Sequence, residues 1–227
     1  GFAVGYSGVL VITEDSGNHW NYAGNVAIND IESIFFINQD TGWVCGLGFV
    51  SKTYDGGETW ISVNAPGQND IYNDIYFLTT SIGFMSGEYG ELFYSENGGD
   101  TWTLKTTGID ENLHEIFFVS PQIGYITTDN GYVIKTINGG LTWDSYYTSV
   151  DEDLYCAWFL NENIGYVGGY WGTLLKTTNG GTSWTPINLN TTSTVYSLSF
   201  INENVGFLGT SNNGVMRTLN GGTTWDY

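Results

Sequence analysis

The chain is poor in basic residues. Five Lys and Arg stand against 24 Asp and Glu in 227 residues, a net charge of −19. A surface of that sign repels DNA and RNA, so nucleic acid is not expected as a partner, and it repels anionic lipid for the same reason. Cysteine is scarce too: Cys45 and Cys156 are the only two, too few for a disulfide framework. No apolar run approaches the ~20 residues of a helical membrane span, so direct membrane insertion is not expected. No signal peptide is visible, but the chain opens in the middle of a repeat.

Proline is limited to 3 residues, whereas Gly reaches 32 and aromatics 16%. Turns are therefore made with Gly, Asn and Asp, which favours many short strands. The aromatics argue against disorder. Little Lys and much Thr, Asn, Ser and Tyr suggest a secreted or cell-surface protein. Asn190-Thr191-Thr192 fits a glycosylation acceptor.

Tryptophan exposes an internal repeat. Trp20, Trp60, Trp102, Trp143, Trp184 and Trp225 are spaced 40, 42, 41, 41 and 41 residues apart. Each closes a turn of one pattern, opened by Asp15, Asp55, Asn97, Asn138, Asn179 or Asn220. Two residues upstream stands a hydroxyl: Thr13, Thr53, Ser95, Thr136, Thr177 or Thr218. A Gly-aromatic pair recurs at Gly1-Phe2, Gly42-Trp43, Gly83-Phe84, Gly124-Tyr125, Gly165-Tyr166 and Gly206-Phe207. Ahead of the last five pairs runs an apolar strand ending in Phe36, Phe77, Phe118, Phe159 or Phe200. Each unit reads as four strands, A to D, in about 40 residues, which is the pattern of a propeller blade. The expected fold is an all-β propeller of six four-stranded blades over residues 1–227, a single domain.

The turn chemistry is structural. Asp or Asn bonds nearby backbone amides, Gly takes positive φ at no steric cost, and the hydroxyl can tie the turn's start to its end. The Trp is an apolar plug with one N–H to satisfy, suited to the wedge between blades. These residues resemble the Asp-box, or bacterial neuraminidase, repeat family, whose pattern Ser/Thr-x-Asp/Asn-x-Gly-x-Thr-Trp spans the chain. The strand C segment from Lys176 to Trp184 is most similar to photosystem II assembly and stability factors. Related repeats occur in secreted bacterial proteins, sialidases, sortilins and xyloglucan-cleaving hydrolases. The resemblance implies the fold far more than the function. It also implies a basic patch for a propeller serving photosystem intermediates. Here the cations are few and tied to the repeat, so the resemblance is taken without the photosynthetic role.

Strands B, C and D occur six times but strand A five times, so the first blade is expected to lack its innermost strand. Some 19 residues would be missing from a closed ring. The chain then reads as a fragment of a longer protein, or as one that receives a strand from a neighbouring chain.

Binding residues are sought where blades differ. The B–C loops present Tyr6, Leu47, Glu88 and Tyr89, Asp129 and Asn130, Tyr170 and Trp171, and Asn212 beside Asn213. Aromatic faces beside carboxylates and amides suit a sugar or a protein surface; equally, these aromatics can simply cover blade edges. The D–A loops carry Asp30, Glu32, Asp70, Asp74, Asp110, Glu111, Asp151, Glu152 and Asp153. Such a ring could attract Ca²⁺ or a basic partner, and more often is a solvated rim. Lys52, Lys135, Lys176 and Arg217 share the position eight before the Trp, where each stem is expected to lie along strand C. His19 and His114 lack metal spacing. One arginine cannot supply the cluster that a sialidase needs, and no carboxylate pair is marked out for glycoside hydrolysis. The expected function is a non-catalytic extracellular binding propeller for glycan or protein. The alternatives are a structural module of a surface protein or filament and, behind it, a polysaccharide-active enzyme.

Overall fold

The computed structural model describes residues 1–67, 70–212 and 214–227. Among them are 22 strands in six antiparallel sheets, with three short 3₁₀ turns as the helical content. The protein is all-β and its six sheets are the six propeller blades. Contacts divide it into two units, Gly1–Lys105 and Thr106–Tyr227. Each unit holds three sheets.

In the first unit, blade one is β1 (Phe2–Val4), β2 (Val9–Ile12) and β3 (Asn21–Asn25). Blade two is β4 (Ile31–Phe36), β5 (Gly42–Gly46), β6 (Phe49–Thr53) and β7 (Ile61–Val63). Blade three is β8 (Tyr72–Phe77), β9 (Gly83–Gly87), β10 (Leu92–Ser95) and β11 (Thr103–Lys105). In the second unit, blade four is β12 (Leu113–Phe118), β13 (Gly124–Thr128), β14 (Tyr132–Thr136) and β15 (Asp144–Tyr147). Blade five is β16 (Leu154–Phe159), β17 (Gly165–Gly169), β18 (Leu174–Thr177) and β19 (Thr185–Pro186). Blade six is β20 (Val195–Phe200), β21 (Gly206–Thr210) and β22 (Gly214–Thr218). Blade one has three strands, corresponding to B, C and D. Blade six also has three; its fourth is reduced to one bridge between Arg217 and Asp226.

The repeat residues act in two places. Inside the Asp-box turn the hydroxyl receives the amide of the second Gly, as in Gly140 N to Thr136 Oγ1 at 2.9 Å. The Asn138 carboxamide then accepts from Thr142 N at 3.0 Å and donates to its hydroxyl at 2.8 Å. In the second box Asp55 does this with a carboxylate, accepting from Thr59 N and Oγ1 at 2.9 and 2.5 Å. Those bonds, the Thr59 hydroxyl first, hold its pKa down at about 2.

Between blades, the Phe ending strand A is the centre of packing. Phe159 lies edge-on to Trp184 of its own blade, with centroids 6.1 Å apart. It also stacks on Tyr125 of the blade before at 3.6 Å. In the five Gly-aromatic pairs that follow a strand A the Gly makes room for this ring: a Cβ on Gly165 would sit 2.3 Å from Phe159 Cδ1. Space, not φ, requires that glycine. The box Trp therefore packs on its own blade's Phe, and the inter-blade wedge is filled mainly by the aromatic of strand B. Trp20, whose blade has no strand A, is 47% exposed, whereas Trp143 and Trp225 are 8% exposed.

Each Lys of strand C sits across from that aromatic in the ladder: Lys135 opposite Tyr125, Lys176 opposite Tyr166. Lys135 Nζ and Tyr125 Oη both donate to the Gly180 carbonyl of the following box, at 2.7 and 3.2 Å. Lys176 and Tyr166 do the same to Gly221, at 3.0 and 2.6 Å. In the first unit Trp43 Nε1 reaches Gly98 O at 2.9 Å. These cations are structural clasps. Both cysteines are free and buried, which pushes their thiols well up.

Candidate functional site

Four of the loops between strands B and C share one backbone conformation. Ser7, Tyr89, Asn130 and Trp171 have φ of 56, 54, 55 and 54°, and each is followed by a Gly at positive φ. Two consecutive positive φ values make the tight turn that matches strand twist, and Asn or Gly is its natural occupant. Tyr and Trp are not. A left-handed non-glycine residue costs about 1–2 kcal/mol, so Tyr89 and Trp171 hold strain that blade-building does not require. Such outliers concentrate at functional sites. Both are also exposed, 76% and 63%.

In the first unit, Tyr6 is 83% exposed at the tip of the first such turn. Asp30 accepts the Ser7 amide at 2.6 Å. Asp74 accepts the Ser33 hydroxyl at 2.5 Å. Gly48 N bonds the Asp70 carbonyl at 2.8 Å. Glu88 closes its own turn, its carbonyl accepting from Glu91 N at 3.0 Å. Burial and then Asp30 push Glu32 above the usual carboxylate range.

The second unit brings more candidates together. Asp129 accepts from Asn112 Nδ2 at 2.8 Å and meets His114 Nε2 at 2.7 Å. Asn130 donates its amide to Asp153 at 3.1 Å and its carboxamide to Glu111 at 2.6 Å. Tyr155 Oη donates to Asp153 at 3.4 Å. Tyr170 N bonds the Asp153 carbonyl at 2.8 Å, fixing the Tyr170–Trp171 turn over the start of β16. Asp151 accepts from Tyr147 Oη at 2.5 Å, while Asp110 and Asn212 are exposed. Asn213 lies outside the described residues.

One feature escaped the residue types singled out in the sequence. His114, Tyr155 and Tyr196 occupy the second position of β12, β16 and β20, 41 residues apart. Their rings form a ladder across three blades, 4.9 Å and 5.5 Å between centroids. Tyr155 is pushed to about 12, first by burial and then by Asp153 and Asp129. The common register was the available signal.

The metal expectation meets different geometry. Asp30, Asp74 and Asp153 accept from groups on other loops and strands, the Ser7 amide, the Ser33 hydroxyl and the Asn130 amide, while Asp151 accepts from nearby Tyr147. Among the described residues, no three His, Cys, Asp or Glu side chains come together in a way that could hold a metal ion. No helix among them is long and apolar enough to cross a membrane.

Residues 105–192, which include blades four and five, match the family model of the photosynthesis system II assembly factor YCF48. The photosystem II assembly lipoprotein Ycf48 of Synechococcus sp. (strain CC9902) is 28% identical over 47% of this chain. The chain is an Asp-box propeller related to the photosystem II assembly factors. It spans 34% of that relative's length. The solved structure described as YCF48 bound to D1 peptide covers 99% of the chain and 76% of its own, with a TM-score of 0.78 at 17% identity. YCF48 from Cyanidioschyzon merolae covers 99% and 79%, with a TM-score of 0.74 at 18% identity. At those identities the likeness shows the propeller fold.

These relatives overturn the extracellular reading in its glycan-binding and polysaccharide-active versions. The secreted or cell-surface expectation falls with it, since the matching relative is a photosystem II assembly lipoprotein. Surface composition reports solubility and partners, not compartment. Setting the photosystem role aside for want of a basic patch was also unsound: aromatic side chains and backbone groups bind polypeptide without cations.

Proposed function

We propose that this propeller is a non-catalytic assembly factor that holds a polypeptide segment of a photosystem protein on the loop face of its second unit. The observation that carries the reading is the His114–Tyr155–Tyr196 ladder beside the strained, exposed Trp171. Ring ladders and large aromatics on rigid elements supply contact area at low entropic cost, as interface anchors do. The likeness to a propeller solved with a D1 peptide supports the choice of polypeptide.

Overlapping synthetic peptides tiling the D1 protein, titrated by fluorescence anisotropy, test it. At least one should bind with Kd of about micromolar order, and Tyr155→Ala should weaken it about tenfold, with the variant's melting curve confirming that it is folded. A full set of peptides that fails to bind the folded protein sinks the proposal.

A further inference from the structure

Beside the Trp171 turn lies a recess of about 240 Å³. Trp171 forms one wall; Val150, Ile187 and Leu189 contribute apolar side chains, and polar groups, with Glu152, Asn188 and Thr191 among the lining, make up the larger share of its surface. The volume is below the roughly 300–1,000 Å³ of small-molecule sites, so it suits one large side chain better than a whole ligand.

The turn is built rigidly against this recess. A Cβ on Gly172 would lie 2.1 Å from the Thr191 carbonyl, so the loop and the β19–β20 connection are in close contact. Blade four puts Asn130 at the same backbone position, and its carboxamide bonds to Glu111 at 2.6 Å. Asn is the ordinary non-glycine occupant of the left-handed region, and here its side chain is also bonded. The indole of Trp171 has no comparable way to relieve its φ of 54°. The cost is therefore offset by something other than the turn itself.

Charge selects the occupant. Four of the five cations are held against aromatic faces: Lys52 over Tyr54, Lys105 over Tyr94, Lys135 over Tyr125 and Lys176 over Tyr166. Asp151, Glu152 and Asp153 run past the recess in the D–A connection, with Glu152 at its lining. An acidic segment would find no free lysine here and would meet three carboxylates.

We infer that this recess anchors a polypeptide segment in which a large apolar side chain is flanked by Lys or Arg. The apolar side chain packs on Trp171, and the flanking cations pair with Glu152 and its neighbours. This rests on the polypeptide-binding reading and adds the partner's chemistry to it. Anchors of this kind concentrate binding energy in a few buried aromatic contacts, and the charges contribute chiefly specificity and encounter rate.

Three labelled peptides test it against the full chain by fluorescence anisotropy at low salt. One carries a Leu-Trp pair flanked by lysines, the second has glutamates in place of the lysines, and the third has alanines in place of Leu-Trp. The lysine peptide should bind at least about tenfold tighter than either of the others, and salt should weaken it. Glu152→Gln should lower its affinity several-fold. Trp171→Asn, which installs the residue blade four uses, should keep or raise the melting temperature while lowering affinity about tenfold or more. Equal binding of the glutamate peptide, or unchanged affinity in Trp171→Asn, overturns the inference, as does failure of the lysine peptide to bind. If D1 peptides still bind while these discriminations fail, the polypeptide reading stands and only the anchor falls.

Discussion

The two units repeat one blade design with different chemistry at the joins. In the second unit both joins combine a ring stack with a two-donor clasp, Lys135 and Tyr125 on Gly180, Lys176 and Tyr166 on Gly221. In the first unit the join from blade one to blade two has Phe2 stacked on Phe36 at 4.1 Å. The clasp positions there are Phe2 and Ile12, which carry no polar hydrogen on their side chains. The boxes differ as well. The first two are built on Asp15 and Asp55, and all three of the second unit on Asn. All four joins inside the units carry an aromatic stack. The two-donor clasp is found at both joins of the second unit, whereas in the first unit the second join has Trp43 Nε1 on Gly98 O and the first join has none; charged boxes occur in the first unit alone.

The stack is where the comparison can be broken hardest. Phe159→Ala removes a ring that is 4% exposed, and should cost about 3–5 kcal/mol in urea unfolding. Phe36→Ala, at the half-buried first join, should cost clearly less. Equal losses would mean that burial does not rank the joins.

The clasp comes next. Burial pulls Lys135 below its usual value, partly offset by Glu162, so its charge carries a desolvation cost that the Gly180 bond must offset. Lys135→Met should cost about 0.5–1.5 kcal/mol, because Tyr125 still donates to the carbonyl. Combined with Tyr125→Phe, the loss should exceed the sum of the two singles, since the buried carbonyl then loses both side-chain donors. In the first unit, Ile12→Lys with Phe2→Tyr should gain up to about 1 kcal/mol if the clasp is transferable. Unfolding curves for these four variants beside the parent decide both points.

The smallest effect is acid sensitivity. Asp55 is held at about 2, first by the Thr59 hydroxyl, and Asp15 is lowered, first by the His19 amide. A carboxylate with a depressed folded pKa stabilises above its unfolded value and loses that contribution as pH falls through the folded one. For Asp55 the window runs from the usual 3.8 down to about 2. Thermal melts across that window should show a shallower decline for Asp15→Asn with Asp55→Asn than for the parent. Equal slopes would show that the boxes are not the acid-sensitive elements.

Blade number, strand boundaries near each Phe and the missing strand A of blade one were legible in the sequence. They follow from local rules: box residues recur because every turn must satisfy the same amides, and Phe-Gly pairs recur because a ring must lie on a bare Cα. The candidate site was legible only in part. Trp171 stood out because it falls outside the Trp register, and the structure adds that its backbone is strained. The ladder of His114, Tyr155 and Tyr196 was not singled out, since three dissimilar residues on different strands share only a register. Several acidic residues read as a possible cation ring are bonded to other loops and strands, Asp30 to Ser7, Asp74 to Ser33 and Asp153 to Asn130, contacts that only the fold creates.

By itself the sequence determined the six Asp-box turns, the all-β blades and the scarcity of cations, because each depends on residue type and on spacing within one repeat. The tertiary structure decided which groups meet across repeats: the lysines bound to the next box, the rings in a ladder, and the recess beside Trp171. Those contacts join residues about 40 apart, and no local rule of turn or strand specifies which side chain waits on the neighbouring blade.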